Sequence, residues 1–175
     1  MKVTVCGGGN AGLAMAADLI LMGHEVNLFE VPAFESSIRA VLDKGGIKIT
    51  GDTASGKTGT VMPKEVTTDP IKALRDTEIV MFGVPAYGHE KFMKSLPPHF
   101  EDGQIVVFNT GYWASLRFQP LLPKYKKKVI IAETDLLVNL CHVTEPGCVI
   151  VFHSSDDSDF ITGQAIIVDG GSALN

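Results

Sequence analysis

An α/β fold is predicted, doubly wound around a mainly parallel sheet in three αβα layers and formed as a single domain. Three observations predict it. Apolar strand-like runs alternate with helix-forming runs along most of the chain, the pattern of a parallel sheet with helices on both faces. The first apolar run enters Gly7-Gly8-Gly9-Asn10-Ala11-Gly12 and gives way at once to a helix-forming run. Ile79-Val80-Met81-Phe82-Gly83-Val84 is apolar throughout, as a strand buried on both faces should be. A length of 175 residues with 45% apolar residues suits one domain with a sizeable core.

Each element has a local reason. After the strand ending at Cys6, the Ala-, Leu- and Met-rich run from Ala11 to Met22 predicts a helix, and Gly23 ends it. Glu25–Phe29 predicts the second strand, and 33–44 a helix stopped by Gly45-Gly46. Ile47–Thr50 alternates like a half-exposed strand; after a polar loop, Val61-Met62 returns as its hairpin partner. Asp69-Pro70 pairs an N-cap residue with a first-turn proline, opening a short helix. Beyond the central apolar strand, a helix is predicted over 87–95, a strand over 104–108, a short helix before Pro120 and Pro123, and strands over 129–132, 148–152 and 164–168. Internal repeats and low-complexity segments are not seen.

The glycine turn carries the chemistry. Gly7 lets the chain turn out of the strand, Gly9 lets a pyrophosphate approach bare backbone, and Gly12 lets the helix pack closely on the sheet. Free N–H groups at the helix start, with the positive end of its dipole, face the phosphates. Glu30 ends the second strand eighteen positions beyond Gly12, where an acid that binds the adenine ribose hydroxyls should fall. Ligands in such sheets sit over the carboxyl ends of the strands. The expected cofactor-binding set is therefore Gly7, Gly8, Gly9, Asn10, Ala11, Gly12, Glu30, Val84, Pro85, Ala86, Asn109 and Thr110. NAD is favoured over NADP, because an acid stands at position 30 with no arginine directly after it; Arg39 remains within reach of a 2′-phosphate.

Composition narrows the classes. A net charge of −5 argues against a nucleic-acid partner. Cys6, Cys141 and Cys148 give neither a disulfide framework nor zinc spacing, so a reducing, cytoplasmic setting is expected. Stretches long enough to span a membrane and a signal-peptide pattern are both missing. The basic run 124–128 reads as a solvated loop.

Two motifs are set aside. Gly51-Asp52-Thr53-Ala54-Ser55-Gly56-Lys57-Thr58 matches the phosphate-loop pattern, but Gly59 to Pro63 cannot open the helix such a loop requires, so a hairpin loop is expected. Tyr87 and Lys91 have the spacing of the Tyr-Lys pair of short-chain dehydrogenases, without that family's preceding serine. His89 reads as a surface histidine in a first helical turn, Tyr112 and Trp113 as cover for the core, and Cys6 as a small core residue. His24, His99, His142 and His153 lack metal-ligand spacing.

Taken together, the glycine motif, Val84-Pro85-Ala86 with His89, Asn109-Thr110-Gly111, Ile131-Ala132-Glu133-Thr134, Cys141 and Glu145-Pro146-Gly147 resemble the N-terminal domain of opine dehydrogenases, the octopine and nopaline dehydrogenase group. The resemblance covers residues 1–152 and implies an NAD(P)-binding domain of a Rossmann type. Enzymes of that family condense an α-keto acid with an amino acid, using NADH or NADPH. Their helical C-terminal domain, which supplies the catalytic histidine, has no counterpart here, so no catalytic residue is assigned. Residues 153–175, with Ser155 to Gln164 and Val168-Asp169-Gly170-Gly171, are similar to the end of short-chain dehydrogenases, where this segment is the final parallel strand. The chain thus reads as chimeric, residues 153–175 completing the domain built by residues 1–152.

The resemblance implies a dinucleotide partner and a small keto-acid or amino-acid substrate, with weak or absent turnover by the isolated chain. Two alternatives stand beside it: a homo-oligomer, such as a dimer, that completes an oxidoreductase in trans, and a non-catalytic module that senses dinucleotide or scaffolds a partner.

Overall fold

The computed structural model describes residues 1–135, 137, 139–152 and the strand Ala165–Ile167. Its centre is a seven-stranded sheet. The parallel strands are β1 (Lys2–Cys6), β2 (Glu25–Phe29), β5 (Glu65–Thr67), β6 (Ile79–Phe82), β7 (Ile105–Phe108) and β8 (Ile130–Thr134). A further strand, β11 (Ala165–Ile167), closes one edge. Across the sheet the order is β5-β2-β1-β6-β7-β8-β11. The chain therefore works outward from β1 in one direction, then returns to start again at β6 on the other side. That reversal leaves a crevice at the carboxyl ends of β1 and β6, where open α/β sheets bind ligands.

The two faces have separate cores. Helices α1 (Asn10–Leu21) and α2 (Glu35–Asp43) cover one, where Leu13, Met15, Ile38 and Val41 meet Val3, Val5 and Leu28. Helices α3 (Pro70–Leu74), α4 (His89–Ser95) and α5 (Ala114–Phe118) cover the other. There Phe29, Phe82, Phe92, Phe100, Phe108 and Phe118 form an aromatic core. Its rings meet mostly edge-on at 5.3–5.9 Å between centroids, with Phe82 and Phe108 stacked at 4.4 Å. Asp69 caps α3 as expected, its carboxylate accepting the Ile71 amide at 2.9 Å.

A second, four-stranded sheet lies outside α1: β3 (Ile47–Gly51), β4 (Gly59–Val61), β9 (Cys141–Glu145) and β10 (Cys148–Val151), in the order β4-β3-β10-β9. Ile47, Ile49, Val149 and Val151 join the α1 core from that side. The strand expected over 148–152 belongs here, paired parallel to β3, while β5 and β9 were not foreseen. The expected hairpin of 47–50 with 61–62 forms as β3 and β4. Its connecting loop, the phosphate-loop look-alike, is fastened to α1: the buried Asp18 carboxylate accepts the Ala54 and Ser55 amides, and Lys57 Nζ donates to the Leu21 carbonyl.

Two helix starts and one strand direction differ from expectation. The helix expected over 33–44 begins with a 3-10 turn, Pro32–Phe34, because Pro32 sets the entry. The helix expected from residue 87 begins at His89, so Tyr87 lies in the preceding turn. The last strand, expected to be parallel by its likeness to short-chain dehydrogenases, pairs antiparallel with β8, Ala165 opposite Thr134 and Ile167 opposite Ala132. An edge strand needs no crossover helix when it runs antiparallel. The rest of that likeness, residues 153–164 and 168–171, lies outside the described residues, as does His153. Among the described residues, no helix is long and apolar enough to cross a membrane.

Candidate functional site

The crevice is built from backbone packed too tightly for side chains. Gly7 takes φ +113°, the left-handed region that favours glycine. A Cβ on Gly12 would fall on the Gly7 carbonyl oxygen, and one on Gly83 would meet Gly12 Cα and N at 2.8 Å. Hydrogen bonds hold these segments in place: Gly7 N to Phe29 O and Gly83 N to Cys6 O, each 2.9 Å. Gly9 is the exception, since a Cβ there meets nothing within 4 Å and the residue is exposed. It is also the N-cap of α1, with no side chain capping the helix and no acid in its first turn. The start of α1 thus offers amides and a positive dipole end to an open surface, a donor set that fits a diphosphate. Ala11 is half-buried there and Gly8 buried, Gly8 closing against Ser37 and Ile38.

Glu30 stands beside this turn with a relative exposure of 4%. Its carboxylate accepts the Gly8 amide at 2.9 Å and the Val31 amide at 2.8 Å, with Ser37 Oγ 3.5 Å away. Burial raises its pKa above the usual carboxylate value; the two amides, Ser37 and the Lys91 ammonium oppose that rise without cancelling it. Arg39, considered for a 2′-phosphate, has its guanidinium 2.7 Å from Glu35. Burial, with the Glu30 charge nearby, pushes the Cys6 thiol well up, so it stays protonated in the core as expected. Asn10 is exposed, yet its side chain is engaged: Oδ1 accepts the Val143 amide at 2.8 Å, pinning the second sheet to the start of α1.

Across the crevice, Val84 packs against Gly7, while Pro85 is exposed and Ala86 half-buried. At the end of β7, Asn109 is fully buried and donates from Nδ2 to the Phe82 carbonyl at 3.2 Å. Among the described residues, Asn109 Oδ1, Thr110 Oγ1 and Ser115 Oγ are buried without a hydrogen-bond partner, which marks this end as polar and unsatisfied. Thr110, Tyr112 and Trp113 all take positive φ, 60°, 46° and 62°. Three such residues in four concentrate backbone strain where β7 hands over to α5. They also overturn the expectation that Tyr112 and Trp113 cover the core: the left-handed turn throws both outward, to 69% and 70% exposure.

Two residues were misread or missed. His89, expected on the surface, is wholly buried between Phe82 and Phe108. Glu133, on β8, is 6% exposed, lies against Gly111 and accepts the Ser115 amide at 3.1 Å, placing a carboxylate at the start of α5. Its place at the end of the strand-like run Ile131-Ala132-Glu133-Thr134 was the available signal. The Tyr87–Lys91 pair is split: Tyr87 is 89% exposed, and the Lys91 ammonium sits 4.0 Å over the Phe34 ring. Among the described residues, no cluster of side chains suits a metal ion.

No family model matches the chain. An opine dehydrogenase from Arthrobacter sp. (strain 1C) is 30% identical over 158 residues, covering 89% of this chain and 43% of that protein. The chain is related to the opine dehydrogenases. It spans less than half the length of that relative. An octopine dehydrogenase solved with NADH and pyruvate superposes with a TM-score of 0.75 at 24% identity, over 88% of this chain and 41% of that one. A yersinopine dehydrogenase with NADP+ bound gives 0.67 at 17%, over 87% and 38%. These two share this chain's α/β fold.

Proposed function

We propose that this chain is the NAD(P)-binding part of an opine-dehydrogenase-type oxidoreductase. The main-chain amides of Gly9, Asn10 and Ala11 would hold the pyrophosphate, while Gly7, Gly8 and Gly12 would shape the turn around it, the Gly7 and Gly8 amides being engaged by Phe29 and Glu30. Glu30 would accept from the adenine ribose hydroxyls, Val84-Pro85-Ala86 would flank the adenosine half, and Asn109 and Thr110 would face the nicotinamide half. The observation that carries this reading is the open, uncapped start of α1 at Gly9, set between backbones that admit no side chain. When bound, the dinucleotide supplies the hydride. This chain's residues bind it, orient it and, through Glu30, select its ribose. NAD is preferred: a buried carboxylate opposes a 2′-phosphate, and Arg39 is already engaged by Glu35. The substrate class that the relationship suggests is an α-keto acid with an amino acid, in a cytoplasmic setting, with weak or no turnover by this chain alone.

The test is thermal unfolding with NADH and with NADPH. Ligand at about 100 times its Kd should add about 2.7 kcal/mol of stability. The larger rise is expected with NADH, and Glu30→Ala should remove the preference. No shift with either dinucleotide overturns the reading.

A second reading, completion by another copy of the chain, is favoured by the large apolar side chains left exposed at this end of the sheet: Tyr87, Tyr112, Trp113 and Leu116. A monomer by light scattering at high concentration would remove it.

A further inference from the structure

Lys91 and Phe34 are in contact at the end of the crevice assigned above to the adenosine half. Phe34 closes the 3-10 turn that follows β2 and Glu30, and Lys91 lies on α4, which follows β6 and the Val84–Ala86 segment. The pair thus joins the two segments that flank that end. The Lys91 ammonium stands 4.0 Å from the centre of the Phe34 ring, and both residues are exposed. A cation over an exposed ring is held only weakly. The other lysine and arginine side chains of α2 and α4 are held by carboxylates: Arg39 by Glu35 and Lys94 by Glu90, each at 2.7 Å. Among the described residues, Lys91 has no such ion pair.

Lys91 also acts on Glu30. Burial raises the Glu30 pKa, and the charge that opposes this rise is the Lys91 ammonium, alongside the Gly8 and Val31 amides and the Ser37 hydroxyl. NADPH differs from NADH by a phosphate on the adenine ribose 2′ oxygen, the oxygen whose hydroxyl Glu30 is read as accepting. A 2′-phosphate would therefore enter beside a buried carboxylate and need a cation there. Arg39 would have to give up Glu35 to serve, whereas Lys91 gives up only a ring face. An ammonium on a phosphate makes charge-assisted hydrogen bonds, stronger than its hold on the ring. We propose that Lys91 is a cofactor-specificity residue: parked on Phe34 at the adenosine end of the crevice, its ammonium is the cation available to a 2′-phosphate, and it keeps NADPH binding open against the preference for NADH. The inference rests on the dinucleotide reading of the site and deepens it. Glu30 and Lys91 then act in opposition, the carboxylate selecting the ribose hydroxyls and the ammonium tolerating their phosphorylated form.

The test is titration of the intact chain with NADH and with NADPH, separately, in the wild type, Lys91→Gln, Lys91→Arg and Arg39→Gln. Position 91 is exposed, so these proteins should fold as the wild type does. Lys91→Gln should raise the Kd for NADPH at least about tenfold, or 1.4 kcal/mol. Its Kd for NADH should stay within about threefold, because at physiological salt the charge is screened from the more distant pyrophosphate. Lys91→Arg should keep NADPH binding within about threefold of wild type, and Arg39→Gln should leave the ratio of the two Kd values unchanged. Equal weakening of both dinucleotides, or no loss of NADPH affinity in Lys91→Gln, overturns the proposal. A selective NADPH loss in Arg39→Gln in place of Lys91→Gln overturns it too, as does a wild type that binds NADH but no NADPH; each of these leaves the dinucleotide reading standing. A wild type that binds neither dinucleotide overturns that reading and this inference with it.

Discussion

Gly12→Ala and Gly9→Ala separate what the glycine turn does for stability from what it does for binding. At Gly12 the new methyl lands on the Gly7 carbonyl oxygen. That oxygen cannot retreat cheaply, because Gly7 is tied to Phe29 and the neighbouring Gly83 to Cys6. Overpacking against fixed backbone costs about 3 kcal/mol. Replacing glycine inside a helix returns up to about 1 kcal/mol, so a net loss of about 2 kcal/mol is expected, which lowers Tm by roughly 4–8 °C in a chain of this size. Gly9 differs in both respects. It has φ −91° and ψ −165°, an extended conformation open to any residue, and nothing within 4 Å of the added methyl. A weaker N-cap and a less flexible unfolded chain nearly offset each other, leaving stability within about 0.5 kcal/mol. Yet the methyl occupies the approach to the helix start, and NADH affinity should drop at least about tenfold, or 1.4 kcal/mol. Urea and thermal unfolding measure the first effect and NADH titration the second. A Gly12→Ala protein as stable as wild type would refute the packing argument. A Gly9→Ala protein with unchanged affinity would refute the placement of the pyrophosphate.

Two further outcomes follow from buried polar side chains. Asp18→Ala strands the Ala54 and Ser55 amides; the expected cost is about 1–3 kcal/mol, with faster amide exchange confined to residues 51–58, and uniform protection would count against the fastening role of Asp18. His89 is held below the ordinary histidine pKa, so the unfolded chain takes up a proton there before the folded one does. Its contribution to stability is therefore complete above about pH 6.5 and is lost as the pH falls from there toward the folded value; urea midpoints of His89→Gln should lack that acid-side decline.

How much of the fold was legible depended on burial. β6 and β7 read directly because they are unbroken apolar runs, as central strands of a parallel sheet are, and β1, Lys2-Val3-Thr4-Val5-Cys6, read from the glycine turn it enters. β9, Cys141-His142-Val143-Thr144-Glu145, has only two residues in the α1 core and sits at the edge of the outer sheet, so nothing in its composition sets it apart from a loop. β5 has the same difficulty, since Glu65-Val66-Thr67 is an edge strand in which every residue is half-buried. The direction of β11 was not legible either: Ala165-Ile166-Ile167 would serve equally in either orientation, and only pairing with β8 decides it.

The candidate site divides along a similar line. Backbone demands are written locally, so Gly7, Gly9 and Gly12 could be assigned from spacing, and Glu30 from its distance beyond them. Side-chain environments are assembled from remote segments. His89 is buried because Phe82 and Phe108 close over it from two other strands and Arg117 reaches it from a helix twenty-eight positions on, none of which its own neighbourhood discloses. Trp113 erred in the opposite direction: hydrophobicity argued for the core, but a left-handed turn at 112 and 113 aims the ring outward. The proposed pyrophosphate grip therefore follows from glycines that any such turn requires. The proposed cofactor choice and the expected acid-side loss of stability rest instead on Glu30 and His89, whose properties come from burial. Substitutions at those two positions should change selectivity and pH profile while leaving the fold intact, whereas substitutions at Gly12 or Gly83 should damage the fold first.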